Sequence, residues 1–126
     1  MILVVDDDPT MVELLRDLLR EEGYEVRTAL HAEHAYQHLR DPKCKGMLLD
    51  MLMPGINGAE LLMVMSGEGI PTPVILMVDS RDFEEAEVKQ FPNVRKLLRK
   101  PFYPEDVLTY VRQFCERPAA RKPATS

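Results

Sequence analysis

Three short uninterrupted apolar runs, Ile2 to Val5, Gly46 to Leu49 and Val74 to Val78, stand at wide intervals along this chain. A run without polar alternation marks a strand covered on both faces. Between the runs the apolar residues recur at helical rather than strand spacing. Met11, Leu14, Leu15, Leu18 and Leu19 fall at i, i+3, i+4, i+7 and i+8, one face of a helix. Buried strands alternating with helices call for a parallel sheet with helices on both sides.

The remaining elements fit between these. Pro9 suits the first turn of the first helix, with Asp8 as its N-cap, and Gly23 closes it. Tyr24 to Ala29 reads as a more peripheral strand and Ala32 to Leu39 as a helix. Asn57-Gly58 leads into a helix through Leu61, Leu62 and Met65, stopped by Gly67 and Gly69. Asp82 to Phe91 reads as a weak acidic helix and Arg95 to Arg99 as a last short strand. Pro104 with Glu105 and Asp106 opens a final helix, since acids favour the positive end of the dipole, and Val107, Tyr110, Val111 and Phe114 form its apolar face. The expectation is five strands alternating with five helices.

A length of 126 residues is enough for one domain with a real core. Residues 1–116 are expected to form it. Residues 117–126, small, basic and proline-bearing, are expected to be a disordered tail or linker stump. A net charge of −5 argues against direct nucleic-acid binding by this domain, because phosphate contacts need a basic face. No apolar run approaches the roughly 20 residues that span a bilayer, and a strand beginning just after Met1 leaves no room for a signal peptide. Cys44 and Cys115 lack CxxC spacing, so no disulfide or zinc site is expected, and a reduced, cytoplasmic setting fits.

The strand ends carry the chemistry. The first run ends in Asp6, Asp7 and Asp8, the second in Asp50 ahead of the turn Met53-Pro54-Gly55-Ile56-Asn57-Gly58, and the last strand in Lys100 before Pro101. In open parallel sheets ligands gather at the carboxyl ends of strands, where strand order switches. Clustered carboxylates repel, and a hard divalent cation such as Mg²⁺ relieves the repulsion. One metal plus Lys100 would hold a dianionic phosphoryl group against Asp50.

Three segments in this order and spacing, Val4-Val5-Asp6-Asp7-Asp8-Pro9, Leu48-Leu49-Asp50 through Gly58, and Lys100-Pro101-Phe102, resemble the receiver domains of bacterial two-component response regulators, similar to the single-domain chemotaxis regulator. The resemblance covers Ile2 to about Glu116. It implies a doubly wound, flavodoxin-like (βα)5 sandwich with strand order 2-1-3-4-5. It also implies that Asp50 is the phosphoacceptor, attacking a phosphohistidine on a histidine kinase or phosphotransfer protein. Asp7, Asp50 and the carbonyl of Leu52 match the direct Mg²⁺ ligands, and Asp6 the acid that reaches the metal through water. Lys100 matches the lysine that pairs with Asp50 and then with the phosphoryl oxygens, across a bond to Pro101 that is usually cis. Implied partners downstream are a protein target or fused output domain, with a homodimer or docking contact through the last helix.

The chain departs from the family pattern at the switch positions. Thr or Ser usually ends the fourth strand; here Val78 stands there, 22 positions before Lys100, the family's usual interval. Valine keeps threonine's shape without the hydroxyl that closes onto the phosphoryl group. The next position, usually small, is Asp79, and the rotating aromatic of the fifth strand is replaced by Leu97. A Gly-Ala pair ahead of that strand reads Asn93-Val94. Ser80 supplies a hydroxyl only if the strand slips by two residues.

Two other functions compete with the signalling receiver. One is a pseudo-receiver, an interaction module that binds without phosphate, motivated by Val78, Asp79 and Leu97. The other is a haloacid-dehalogenase-like hydrolase, which needs a general acid two residues after the nucleophile, where Leu52 stands. His31, His34 and His38 share one helical face at i, i+3 and i+7, read as a solvated face because no nearby acid or cysteine completes a metal-binding set.

Overall fold

The computed structural model describes residues 1–53, 55, 57–79 and 90–115. Along these run β1 (Ile2–Val5), α1 (Pro9–Glu21), β2 (Val26–Ala29), α2 (Ala32–Leu39), β3 (Gly46–Asp50), α3 (Gly58–Glu68), β4 (Val74–Asp79), β5 (Val94–Lys100) and α4 (Pro104–Phe114). The expected helix over Asp82 to Phe91 falls almost wholly outside the described residues, as do Ser80 and the tail.

The five strands form one parallel sheet in the order β2-β1-β3-β4-β5. The runs without polar alternation became its three central strands, β1, β3 and β4, buried along nearly their whole length. Successive side chains alternate between two cores, as the strand period of two requires. Leu3, Val5, Leu49, Leu76 and Val78 face α2 and α3. Ile2, Val4, Leu48, Ile75 and Met77 face Leu15 and Leu19 of α1 and Val107 and Val111 of α4. Each such aliphatic side chain contributes about 1.5–3 kcal/mol on burial.

The helix boundaries follow their caps. Asp8 caps α1, its Oδ1 accepting from the Thr10 amide at 3.0 Å. Asn57 caps α3 by accepting from the Glu60 amide at 3.0 Å. The α3 helix ends at Gly69, whose φ of 68° is left-handed; Gly67 lies inside the helix and stops nothing. The buried stripe of α1 also differs from the expected one: Val12, Leu15 and Leu19 are buried, whereas Leu14 is 56% exposed and Met11 and Leu18 are half-buried.

Candidate active site

The strand order reverses between β1 and β3, so the residues that follow these two strands flank the crevice at the carboxyl edge. Asp6 and Asp7 leave β1 there, and Asp50 ends β3. One carboxylate oxygen from each lies within 4.8 Å of the other two. Asp6 is wholly buried, Asp50 nearly so, and Asp7 faces solvent.

Lys100 closes the group from β5, two strands away from β3. Its Nζ donates to Asp6 Oδ2 at 2.9 Å and lies 3.7 Å from Asp50 Oδ1. The sequence expectation paired Lys100 with Asp50. Asp6 is the nearer partner because it is fully buried and its other oxygen is already held by the Asp8 amide at 3.0 Å, so its charge depends on the ammonium. Asp50 Oδ1 also accepts from the Leu52 amide at 3.3 Å. The Lys100–Pro101 peptide bond is cis.

The electrostatics of the crevice are unbalanced. Burial, and then the charge of Asp6, push the Asp50 carboxyl up to about 7, against the opposing pull of Lys100 and the Leu52 amide. Burial pulls the Lys100 ammonium down, but its hydrogen bond and charge contact with Asp6, helped by Asp50 and Asp79, outweigh this and raise it. Three carboxylates around one cation leave room for a second positive charge. A hard, all-oxygen donor set of this size suits Mg²⁺.

The positions around the core of the site are those named from sequence. Val78 is buried on the α2 and α3 side of the sheet, and Asp79 is exposed at the end of β4, in register with Lys100 on β5. Leu97 is half-buried and packs into the same core as Val78, away from the carboxylates. Leu52 exposes its side chain, while Met51 and Met53 on either side are buried. One feature had no signal in the sequence. A cavity of about 360 Å³ lies against Lys100 and Asp79 and is lined by Met11, Leu14, Leu18, Phe102 and Pro104. Met11 and Leu18 line it from the edge of the core, while Leu14 is exposed.

The model of the response regulator receiver domain family matches residues 2–112. The chain belongs to this family. The DNA-binding response regulator MtrA of Mycolicibacterium smegmatis is 29% identical over 111 residues, covering 88% of this chain and 48% of that protein. The receiver therefore spans about half the length of the curated relatives it matches. Among solved structures, response regulator StyR superposes with a TM-score of 0.81 at 32% identity, over 89% of this chain and 57% of StyR. The receiver domain of NtrX from Brucella abortus gives 0.81 at 25% identity, over 90% and 96% of the two chains. The five-stranded order and the flanking helices are those of this receiver fold. Among the described residues, no helix is long and apolar enough to cross a membrane.

Proposed function

We propose that this receiver accepts a phosphoryl group on Asp50 from a histidine kinase or phosphotransfer protein, in a Mg²⁺-dependent reaction, and signals through altered binding to a protein target or output domain. The observation that carries the reading is the convergence of Asp6, Asp7, Asp50 and Lys100 from three strands onto one crevice. A structural role for these groups would not gather three carboxylates at the cost of raising one of them to about 7.

Asp50 is the nucleophile: a carboxylate oxygen attacks phosphorus as the bond to the donor nitrogen breaks. Lys100, poised between Asp6 and Asp50, turns to the phosphoryl oxygens and offsets their charge. Asp7, Asp50 and the Leu52 carbonyl would hold Mg²⁺ directly and Asp6 through water. When bound, the metal supplies charge neutralisation, the main demand of phosphoryl transfer. The apolar cavity beside Lys100 offers the incoming donor protein a surface along α1 that includes exposed Leu14.

The read-out is proposed to be atypical. Val78 has no hydroxyl to close onto the phosphoryl group, Asp79 adds a further carboxylate near Lys100, and Leu97 has no ring to turn. The same three residues favour a second reading, a pseudo-receiver that binds partners without phosphate.

The two readings separate on one experiment. Incubation with Mg²⁺ and a small phosphodonor should add one phosphoryl group, seen by intact-mass measurement, in the parent and none in Asp50→Asn. No addition to the parent at saturating Mg²⁺ would favour the pseudo-receiver.

A further inference from the structure

Three histidines on α2 take no part in phosphoryl transfer. His31 is the N-cap residue, its Nδ1 accepting from the His34 amide at 3.3 Å. His34 follows in the first turn and His38 in the last. The His34 and His38 rings lie 4.8 Å apart between centroids, and the His31 and His34 rings 5.8 Å apart. The three imidazoles form a ladder on the outer side of the helix, with His31 and His34 exposed and His38 half-buried.

Residues four apart on a helix stand one above the other on the same face. When both are histidines, their ring nitrogens reach a common point one turn apart, an arrangement that helical zinc sites use. We propose that His34 and His38 chelate a divalent transition-metal ion of the nickel, copper and zinc class. Imidazole suits these ions, whereas the all-carboxylate cluster at the strand ends suits Mg²⁺, so the two sites select different metals.

Two further observations support the site. Glu33 Oε2 lies 3.2 Å from His31 Nδ1, so a carboxylate stands at the N-terminal end of the ladder. Burial, and then the charges of His34 and Arg27, hold His38 below the usual imidazole range against the pull of Asp41. Because α2 has only eight residues, a metal clip across one turn also holds the helix together.

The test is a calorimetric titration of nickel chloride into the parent protein in saturating Mg²⁺, repeated with His34→Ala, His38→Ala and His31→Ala. Imidazole ¹⁵N resonances are followed in parallel. Alanine favours helix, so the His34 and His38 variants keep α2, whereas His31→Ala also removes the N-cap of the helix. The expected result is one saturable site, weakened roughly tenfold or more by loss of His34 or His38 and less by loss of His31. The resonances of His34 and His38 should respond together, whether or not the carboxylate cluster holds Mg²⁺. No binding in the parent, equal affinity in the His34 and His38 variants, or a response confined to other residues would overturn the proposal.

Discussion

Asp50 pairs a nucleophile's position with an acid's reluctance to ionise. Its folded value of about 7 lies above the ordinary 3.8, chiefly through burial and then through Asp6. The folded state therefore holds the proton more tightly than the unfolded chain. This contribution to stability is complete below pH 3.8 and is lost as pH rises through about 7. In metal-free buffer, thermal melts of the parent should show this loss. Asp50→Asn should remove it and be more stable at alkaline pH by on the order of 1–2 kcal/mol, less than the full shift because water screens part of the site. Adding Mg²⁺ should raise the parent's melting temperature and leave the variant nearly unmoved. Val78→Thr addresses the other partner. A hydrogen bond to a charged group contributes about 1.5–3 kcal/mol, so affinity for a beryllofluoride phosphoryl mimic should rise roughly tenfold or more. The same change should destabilise the unliganded protein by about 1–3 kcal/mol, by burying a hydroxyl where Val78 is fully packed. The carboxylates and the lysine were legible in the sequence because each stands at or just past a strand end. The preference of Lys100 for Asp6 was not, because it depends on how deeply each carboxylate is buried.

The elements hold these residues in place, and α3 does so at the closest range. A Cβ on Gly58 would stand 2.9 Å from Met51 Cα and 3.0 Å from the Asp50 carbonyl oxygen, both main-chain atoms that cannot step aside. Gly58→Ala should therefore push the start of α3 away from the end of β3. Denaturant unfolding should register a loss of about 1–3 kcal/mol, and a Mg²⁺ titration should show weaker binding, because Asp50 and Leu52 lie on the main chain that Gly58 packs against. On the opposite side of the sheet's span, Asn93 ties the entry to β5 to the α3–β4 connection, its Nδ2 donating to the carbonyls of Ile70 and Thr72 at 2.8 and 2.9 Å. Sequence reading saw in Asn93 only a departure from a small residue, since nothing local announces a hydrogen bond across 23 positions. The stripe of α1 is offset at its edge for a related reason. Leu15 and Leu19 are buried as their spacing implies, but Val12 joins them while Leu14 is exposed, and only packing against β1 and α4 decides which edge of the stripe turns inward. Gly67 and Gly69 were equal candidates to end α3, and a left-handed φ at Gly69 decided it.

At the scale of the molecule, the fold was legible because few arrangements satisfy three strands buried on both faces with short helical crossovers. The order of the strands came from the family resemblance rather than from any periodicity. How a phosphoryl group at Asp50 reaches the rest of the surface was the least legible feature, since it depends on energy differences between two states. A ligand shifts such an equilibrium only as far as it binds one state better. Val78 cannot close onto the phosphoryl group and Leu97 is already packed into the core, so two contacts that would distinguish the states are missing. On the proposed reading, Asp50 is a working phosphoacceptor coupled weakly to the outer surface of the domain. Amide chemical shifts with and without beryllofluoride and Mg²⁺ test it most directly. The prediction is large changes at Asp6 to Asp8, Asp50 to Gly58, Val78, Asp79 and Lys100, with small ones over the rest of β5 and α4. Large changes throughout Arg95 to Phe114, or none around Asp50, would contradict it.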